Sequence, residues 1–339
     1  MGGSALFAQG KITKRLDKKE FLQIQDEVML KLAGHFSHLA TIPFYREKET
    51  FGDLDILIAK PKMDRDEFTK ILQTQFKSEY QYFNQDVISF DYKDFQVDLI
   101  FVPESDFETA LNYYSWNDIN NLVGQVAKIF NLKHSHKGLV YIYRGDTDSG
   151  YFKREITVSK NLKDIYTFLG YDYSIYEDGF DTLNEMFDFV VSTPYIDTHN
   201  FEYSQLNAIN RVRNRKRKNY VLFLEYLVDN NIKKSFHFSK DEIEKRIDDF
   251  FPEANFSKQI ARYNNEYKTT LDISQKFNGE LVMRLISGLH GRELGKFIYS
   301  FRLKYSNEEI LNTNELQMCL LIIGHHSEFI RQNELDLLK

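Results

Sequence analysis

Apolar and polar residues follow two different periods along the chain, and these periods separate predicted helices from predicted strands. Apolar residues recur every three to four positions over 17–36, which predicts a helix capped at its start by Asp17. Short apolar runs and alternating stretches predict strands at 39–44, at 51–58 and within a hairpin over 78–102, and helical spacing returns over 64–76.

Helical periods dominate the rest of the sequence. Two helices are expected over 105–115 and 117–130, and the basic segment 131–160 contains strand patterns at 139–143 and 152–158. Further helices are expected at 162–169, 182–192, 203–228, 240–251, 256–267, from 288–295 through Tyr305, and at 316–338. We therefore predict an α+β fold, in which a mixed sheet with flanking helices is followed by a mainly helical C-terminal region. Its divisions are a catalytic domain at 1–130, a basic β-rich connecting segment at 131–160, and a helical domain at 161–339 that we expect to bind the substrate or a nucleic acid.

Composition narrows the function classes. The 339 residues carry a formal net charge of −6, so a generally basic nucleic-acid coat is excluded and any such contact needs a local basic patch. The single cysteine, Cys319, allows no internal disulfide and fits a reducing compartment. The sequence shows no long apolar run and no secretory signal pattern, so we expect a soluble cytoplasmic protein.

Two acidic residues lie in a predicted strand whose other residues are mostly apolar, as in a buried strand. Asp53 and Asp55 precede the apolar run 56–59, and as residues two apart on a strand they share one face. A third acid, Asp98, lies in the apolar run 95–102. Neighbouring carboxylates repel unless a cation lies between them, so the trio predicts a site for a hard metal such as Mg²⁺. The alternatives are solvent-facing strand residues, or a Gly-Asp turn at Asp53.

Three carboxylates on adjacent strands can hold two Mg²⁺ ions, the arrangement that nucleotidyl transfer uses. One ion lowers the pKa of the attacking hydroxyl and the other neutralises the leaving pyrophosphate. In this scheme Asp53 and Asp55 bind both ions, with Mn²⁺ able to substitute. Asp98 binds the catalytic ion and helps to deprotonate the hydroxyl.

The stretch 51–58, Phe-Gly-Asp-Leu-Asp-Ile-Leu-Ile, together with Val-Asp-Leu-Ile at 97–100, resembles the polymerase-beta-type nucleotidyltransferase superfamily. Much of the chain is also similar to fungal and phage proteins of that type, which would fit a virus-encoded protein. The resemblance implies a five-stranded palm-like core within 1–130, two-metal chemistry, and an NTP or dNTP substrate. Template-independent transfer is favoured.

One family feature is displaced. The superfamily usually has a Gly-Ser or Gly-Gly pair shortly before the first acid, where this chain has Tyr45-Arg46-Glu47-Lys48. Our hypothesis is that Gly2, Gly3 and Ser4 fold back to form the triphosphate loop, assisted by Arg46 and Lys48, while Gly52 permits close approach of backbone or ligand. The alternative is a frayed N-terminus.

A cationic cluster lies in the predicted helix 203–228. Six cations occur within the eight positions 211–218: Arg211, Arg213, Arg215, Lys216, Arg217 and Lys218. Such a run is either a solvated helix surface or a contact for an RNA or DNA acceptor. Histidines 134, 136, 325 and 326 have no cysteine or carboxylate at ligand spacing, so we interpret them as ordinary core or surface residues.

Three functions follow from these features. The first is Mg²⁺-dependent transfer of a nucleoside monophosphate to a hydroxyl acceptor, with a nucleic-acid 3′ end favoured. The second is a toxin-type or small-molecule nucleotidyltransferase that modifies a protein or metabolite. The third is an inactive fold kept as a binding module, which an intact acidic trio disfavours.

Overall fold

The chain divides into two compact units in a computed structural model, which describes residues 3–36, 38–60, 65–117, 119–147 and 150–337. One unit comprises Met1–Tyr141 and Ile156–Phe256, and the other comprises Ile142–Glu155 and Ser257–Lys339. The predicted α+β class, with a mixed sheet and a largely helical C-terminal half, is confirmed. The roles assigned to 1–130, 131–160 and 161–339 stay predictions.

The strands, in chain order, are β1 (Leu16–Asp17), β2 (Leu39–Thr41), β3 (Thr50–Phe51), β4 (Asp53–Ala59), β5 (Gln81–Asn84), β6 (Val87–Tyr92), β7 (Phe95–Val102), β8 (Leu132–Ser135), β9 (Gly138–Thr147) and β10 (Gly150–Ser159). The helices are α1 (Lys18–Leu32), α2 (Arg65–Phe76), α3 (Phe107–Tyr114), α4 (Ile119–Ala127), α5 (Leu162–Phe168), α6 (Tyr173–Asp178), α7 (Leu183–Ser192), α8 (Ala208–Arg215), α9 (Lys218–Asp229), α10 (Lys240–Phe250), α11 (Phe256–Lys276), α12 (Gly279–Leu285), α13 (Gly291–Lys304), α14 (Asn307–Asn312) and α15 (Glu315–Leu337).

A five-stranded sheet of order β2-β4-β7-β6-β5 organises the first unit. Its central strands β4 and β7 pair in parallel, whereas β2–β4, β7–β6 and β6–β5 pair antiparallel. A parallel pair needs a crossover between its strands, and here α2, β5 and β6 lie between β4 and β7 in the sequence. The predicted hairpin over 78–102 is therefore a three-stranded meander.

Each face of this sheet has a different cover. Leu54, Ile56 and Ile58 of β4 belong to a core that contains the apolar faces of α1 and α2. The alternate residues Leu57 and Ala59 pack in a smaller cluster with α3. Because residues two apart share a face, Asp53 and Asp55 continue the α3-covered face beyond its apolar part.

Several helices differ from the sequence prediction at their ends. Asp17 caps α1 as expected, since its carboxylate accepts a hydrogen bond from the amide of Glu20 at 2.8 Å, but α1 ends at Leu32. Helix α11 extends beyond the predicted 267 to Lys276, and α6, α12 and α14 were not anticipated.

The predicted helix over 203–228 is wrong as a single element. The structure has a 3₁₀ turn at Tyr203–Gln205, then α8 and α9, separated at Lys216. Asn207 begins α8 by accepting a hydrogen bond from the amide of Asn210. Arg213 and Arg215 lie in the last turn of α8, where cations interact favourably with the helix dipole. A continuous helix would place Arg217 one turn from Arg213 and so add a further pair of like charges.

The second unit has a core of its own. Buried residues of α11, α12, α13, α14 and α15 form one cluster, among them Phe277, Val282, Phe297, Ile310 and Ile322. Among the described residues, helices of sufficient length and hydropathy to cross a membrane are absent.

Substituting Phe21 tests the core that α1 forms with β4. Phe21 is 3 % exposed and stacks on Phe51 with ring centroids 3.9 Å apart. We expect Phe21→Ala to lower the free energy of unfolding by about 3–5 kcal/mol in urea titrations. Leu30→Ala on the same helix removes a side chain of an 80 % exposed residue and should change it by less than about 0.5 kcal/mol. Equal losses would contradict the packing described.

Candidate metal centre

The parallel pairing of β4 and β7 brings the three acids together. Its register places Asp55 opposite Asp98 and Asp53 opposite Gln96. One carboxylate oxygen from each of Asp53, Asp55 and Asp98 lies within 4.8 Å of the others. None of the three is fully buried, so the cluster is accessible from solvent. Three carboxylates at this spacing could bind a metal ion.

An apolar floor continues from the acids along the same sheet face. Leu57 and Val102 are buried beside Phe107 and Ala110 of α3, and Tyr114 at the end of α3 packs against this cluster. The acids therefore lie where the cover of the sheet ends. Strands β4 and β7 fix the positions of the carboxylates, while α3 covers the neighbouring part of the face.

The N-terminal segment lies against the acids. The amide of Gly3 donates to Asp53 Oδ2 at 3.1 Å, and the amide of Ala5 donates to the Oε1 of Gln96 at 2.8 Å. The Thr13 hydroxyl donates to the carbonyl of Gly3 at 2.7 Å. The hypothesis that this segment folds back to the acids requires such a placement. Gly2, its other glycine, lies outside the described residues.

Gly3 and Gly52 are in close backbone contact. A Cβ at Gly3 would lie 2.3 Å from the carbonyl oxygen of Gly52, and the φ of Gly3 is +85°. Only glycine takes this conformation without strain and leaves room for the contact. The close approach expected at Gly52 is thus made by backbone.

Two partners of Asp98 were not singled out from the sequence. The Gln96 amide donates to both carboxylate oxygens of Asp98 at 2.9 Å, and the hydroxyl of Ser89, which faces Asp98 across the β6–β7 pair, also bonds to it. Gln96 precedes Asp98 by two positions in an apolar strand. That spacing was a signal that the two polar side chains share a face.

Burial and a neighbouring carboxylate perturb the pKa values of the acids. Burial, and after it the negative charge of Asp53, raises the pKa of Asp98 from 3.8 to about 6, although Ser89 and Gln96 act in the opposite direction. Burial also raises the pKa of Asp53, against the lowering effects of the Gly3 amide and of the Lys48 and Arg15 charges. A bound cation would relieve this repulsion. Carboxylate oxygens are also the ligands that hard divalent metals prefer, so this set of donors fits such an ion.

The cations proposed to assist the triphosphate loop have different surroundings. Lys48 acts electrostatically on Asp53, and its Nζ lies 4.6 Å from the ring centroid of Phe51. Arg46 instead pairs with Asp181, Nη1 to Oδ1 at 2.6 Å, and donates to the carbonyl of Asp178. The charge of Lys48 therefore acts on the centre, whereas Arg46 would have to leave an exposed ion pair to do so.

No family model matches this sequence, and the curated proteins contain no significant match to it. The physical arrangement of the residues therefore has to support any functional assignment.

The cationic cluster lies in the same unit as the acids. Arg211 donates to the carbonyls of Tyr203 and Leu206, and the guanidinium of Arg215 lies 5.4 Å from the centroid of the Tyr203 ring. Arg213, Lys216 and Lys218 are exposed, whereas Arg217 is half-buried.

The charges of one acid and of one cation of this cluster both act on Tyr114. Burial, then Tyr113 and the Asp55 charge, raises the pKa of Tyr114 to about 12, while the Arg213 charge lowers it. Asp55 and Arg213 thus both act on one side chain. Nearby, Asn117 accepts from the amide of Tyr45 at 3.3 Å through its side chain and from Asn219 at 2.9 Å through its carbonyl, which ties the turn before β4 to α9.

The histidines have ordinary structural surroundings. His134 is 5 % exposed, its Nε2 lies 2.9 Å from the Oδ1 of Asn120, and burial lowers its pKa to about 3. His325 is buried among aromatic rings, with its Nε2 2.9 Å from the hydroxyl of Ser300.

Substituting Gly3 tests whether its contact with Gly52 holds the N-terminal segment in place. In Gly3→Ala the added Cβ clashes with the Gly52 carbonyl, so we expect the Ala5 amide to exchange with deuterium at least about tenfold faster than in Gly10→Ala. Gly10 is the matched control, because its φ is +82° but its Cβ would meet no atom within 4 Å. The same exchange rate in both variants would show that the contact is unimportant.

The raised pKa of Asp98 predicts how stability depends on pH without metal. A carboxyl with a raised pKa holds its proton more tightly in the folded state, so its contribution is present below about pH 4 and is lost as the pH rises through about 6. In EDTA we expect the melting temperature of the wild type to fall over that range relative to Asp98→Asn, which should melt a few °C higher near neutral pH. Parallel pH profiles for the two proteins would contradict the repulsion described.

Proposed function

We propose that this protein is a Mg²⁺-dependent nucleotidyltransferase. It transfers a nucleoside monophosphate from an NTP or dNTP to a hydroxyl acceptor, with a nucleic-acid 3′ end as the favoured acceptor and without a template. Resemblance of the 51–58 and 97–100 motifs to the polymerase-beta-type superfamily supports the reaction class, and the exposed cations of 211–218 support the acceptor class.

The observation that carries this proposal is the acidic trio itself. Three carboxylates whose oxygens lie within 4.8 Å, on adjacent parallel strands, are a costly arrangement for a purely structural role. Binding of a nucleotide alone would not require them. Two divalent ions held there would polarise the attacking hydroxyl and neutralise the leaving pyrophosphate.

The chain's own residues take distinct parts. Asp53 and Asp55 would hold both ions. Asp98 would hold the catalytic one and help to deprotonate the attacking hydroxyl. The Gly3 amide already donates to Asp53, as does that of Ala5 to Gln96. The exposed Ser4 and Lys48 would therefore make most of the contacts with the triphosphate. The amides of Gly3 and Ala5 hold the loop in place.

The position of the cationic cluster relative to Asp55 supports a polyanionic acceptor. Arg213 and Asp55 both act electrostatically on Tyr114, which supports an acceptor phosphate bound at Arg213 in the neighbourhood of the acids. Lys216 and Lys218 extend this positive surface.

A labelled-nucleotide assay tests the proposal. Purified protein is incubated with Mg²⁺ or Mn²⁺, each labelled NTP or dNTP, and an RNA or DNA oligonucleotide. We expect extension of the oligonucleotide, and a loss of at least about 100-fold in Asp53→Asn and in Asp55→Asn, because each removes a ligand of ions that stabilise transition-state charge.

Asp66→Asn is the matched control, since it removes an exposed carboxylate in the first turn of α2 and should keep full activity. Label on a protein or a small molecule with no extended oligonucleotide would replace the acceptor class with the second function considered above. Transfer that persists in the double variant Asp53→Asn with Asp55→Asn would refute the site.

A further inference from the structure

Gln96 is a buried polar side chain with no role in the transfer scheme above. It is 2 % exposed within the apolar strand β7. A buried amide is costly unless it is hydrogen-bonded. Its hydrogen bonds go to two places, the amide of Ala5 and the carboxylate of Asp98. The side chain therefore connects the N-terminal segment to a metal ligand.

The two partners fix which way the Gln96 amide points. The backbone N–H of Ala5 needs an acceptor, so Oε1 must face the segment at 2.8 Å. Nε2 then faces Asp98 and donates to both of its oxygens at 2.9 Å. If Ala5 were absent, the amide could rotate and its donor would no longer be held against the carboxylate.

The same short segment also makes a hydrogen bond to Asp53. The Gly3 amide donates directly to Asp53 at 3.1 Å, while Ala5 acts on Asp98 through Gln96. Hydrogen bonds from outer-shell partners fix the orientation of metal-ligating carboxylates and tune their affinity for the ion. One docked segment therefore orients ligands on both strands of the parallel pair.

We propose that Gln96 is a positioning residue that couples docking of residues 3–5 to the orientation of Asp98. The cation site is complete only when this segment is docked. The inference concerns metal binding and rests on the proposed function only for its effect on transfer.

Titration calorimetry with Mn²⁺ alone tests the coupling. Gln96→Leu keeps a similar volume and removes both hydrogen bonds, so we expect Mn²⁺ affinity to fall about tenfold or more. Gln125→Leu is the matched control. It makes the same exchange at another buried glutamine, which is 5 % exposed and accepts from Lys128, and it should leave Mn²⁺ affinity unchanged. Unchanged affinity in a folded Gln96→Leu would overturn the proposal.

A double-variant cycle separates positioning from general stability. Deleting residues 2–5 should weaken Mn²⁺ binding, and adding Gln96→Leu to the deletion should cause little further loss, since the amide has already lost its anchor. Fully additive losses would mean that Gln96 acts independently of the segment. If Gln96→Leu does not fold, Gln96→Asn replaces it in the cycle, because it keeps both groups on a shorter side chain.

Transfer assays on the same variants distinguish this proposal from the proposed function. Mn²⁺ binding that depends on Gln96 in a protein without transfer activity would refute only the transferase assignment. Transfer activity with the same Mn²⁺ affinity in Gln96→Leu as in the wild type would refute only the positioning role.

Discussion

Repulsion between carboxylates is the constraint on which this part of the molecule depends. The parallel register places Asp55 beside Asp98, and Asp53 raises the pKa of Asp98 across the same strand pair. The fold counters the repulsion through hydrogen bonds from the backbone of Gly3 and the side chains of Gln96 and Ser89, and through the charges of Lys48 and Arg15 that act on Asp53. A bound metal ion would add positive charge between the carboxylates and lower their mutual repulsion.

The residues that hold the acids also explain the shape of the site. Apolar packing under α3 closes the sheet face up to Leu57, and the N-terminal segment lies against Asp53 on another side. The charge of Arg213 lowers the pKa of Tyr114, and the charge of Asp55 raises it. The carboxylates themselves stay partly exposed, as a bound ion would require.

Local patterns predicted the acids and the strands that carry them, because period-two spacing and apolar flanks are properties of adjacent residues. The register that places Asp55 opposite Asp98 depends on pairing between strands far apart in the sequence, and local spacing does not specify such pairing. The break at Lys216 also escaped prediction, because residues 213–219 are all polar and their pattern does not distinguish one helix from two. Gln96 had the right spacing from Asp98, but its other partner, Ala5, lies far away in the sequence.

The same separation along the chain determines when the contacts of the metal centre form during folding. Gly3, Asp53 and Asp98 come from three distant stretches, so each contact of the centre closes a long loop and has high contact order. Such contacts form only once the sheet has its register, and the unfolded chain holds no comparable cluster. A cation that binds there selects the folded sheet over the unfolded chain, so metal availability and folding of the first unit are thermodynamically linked.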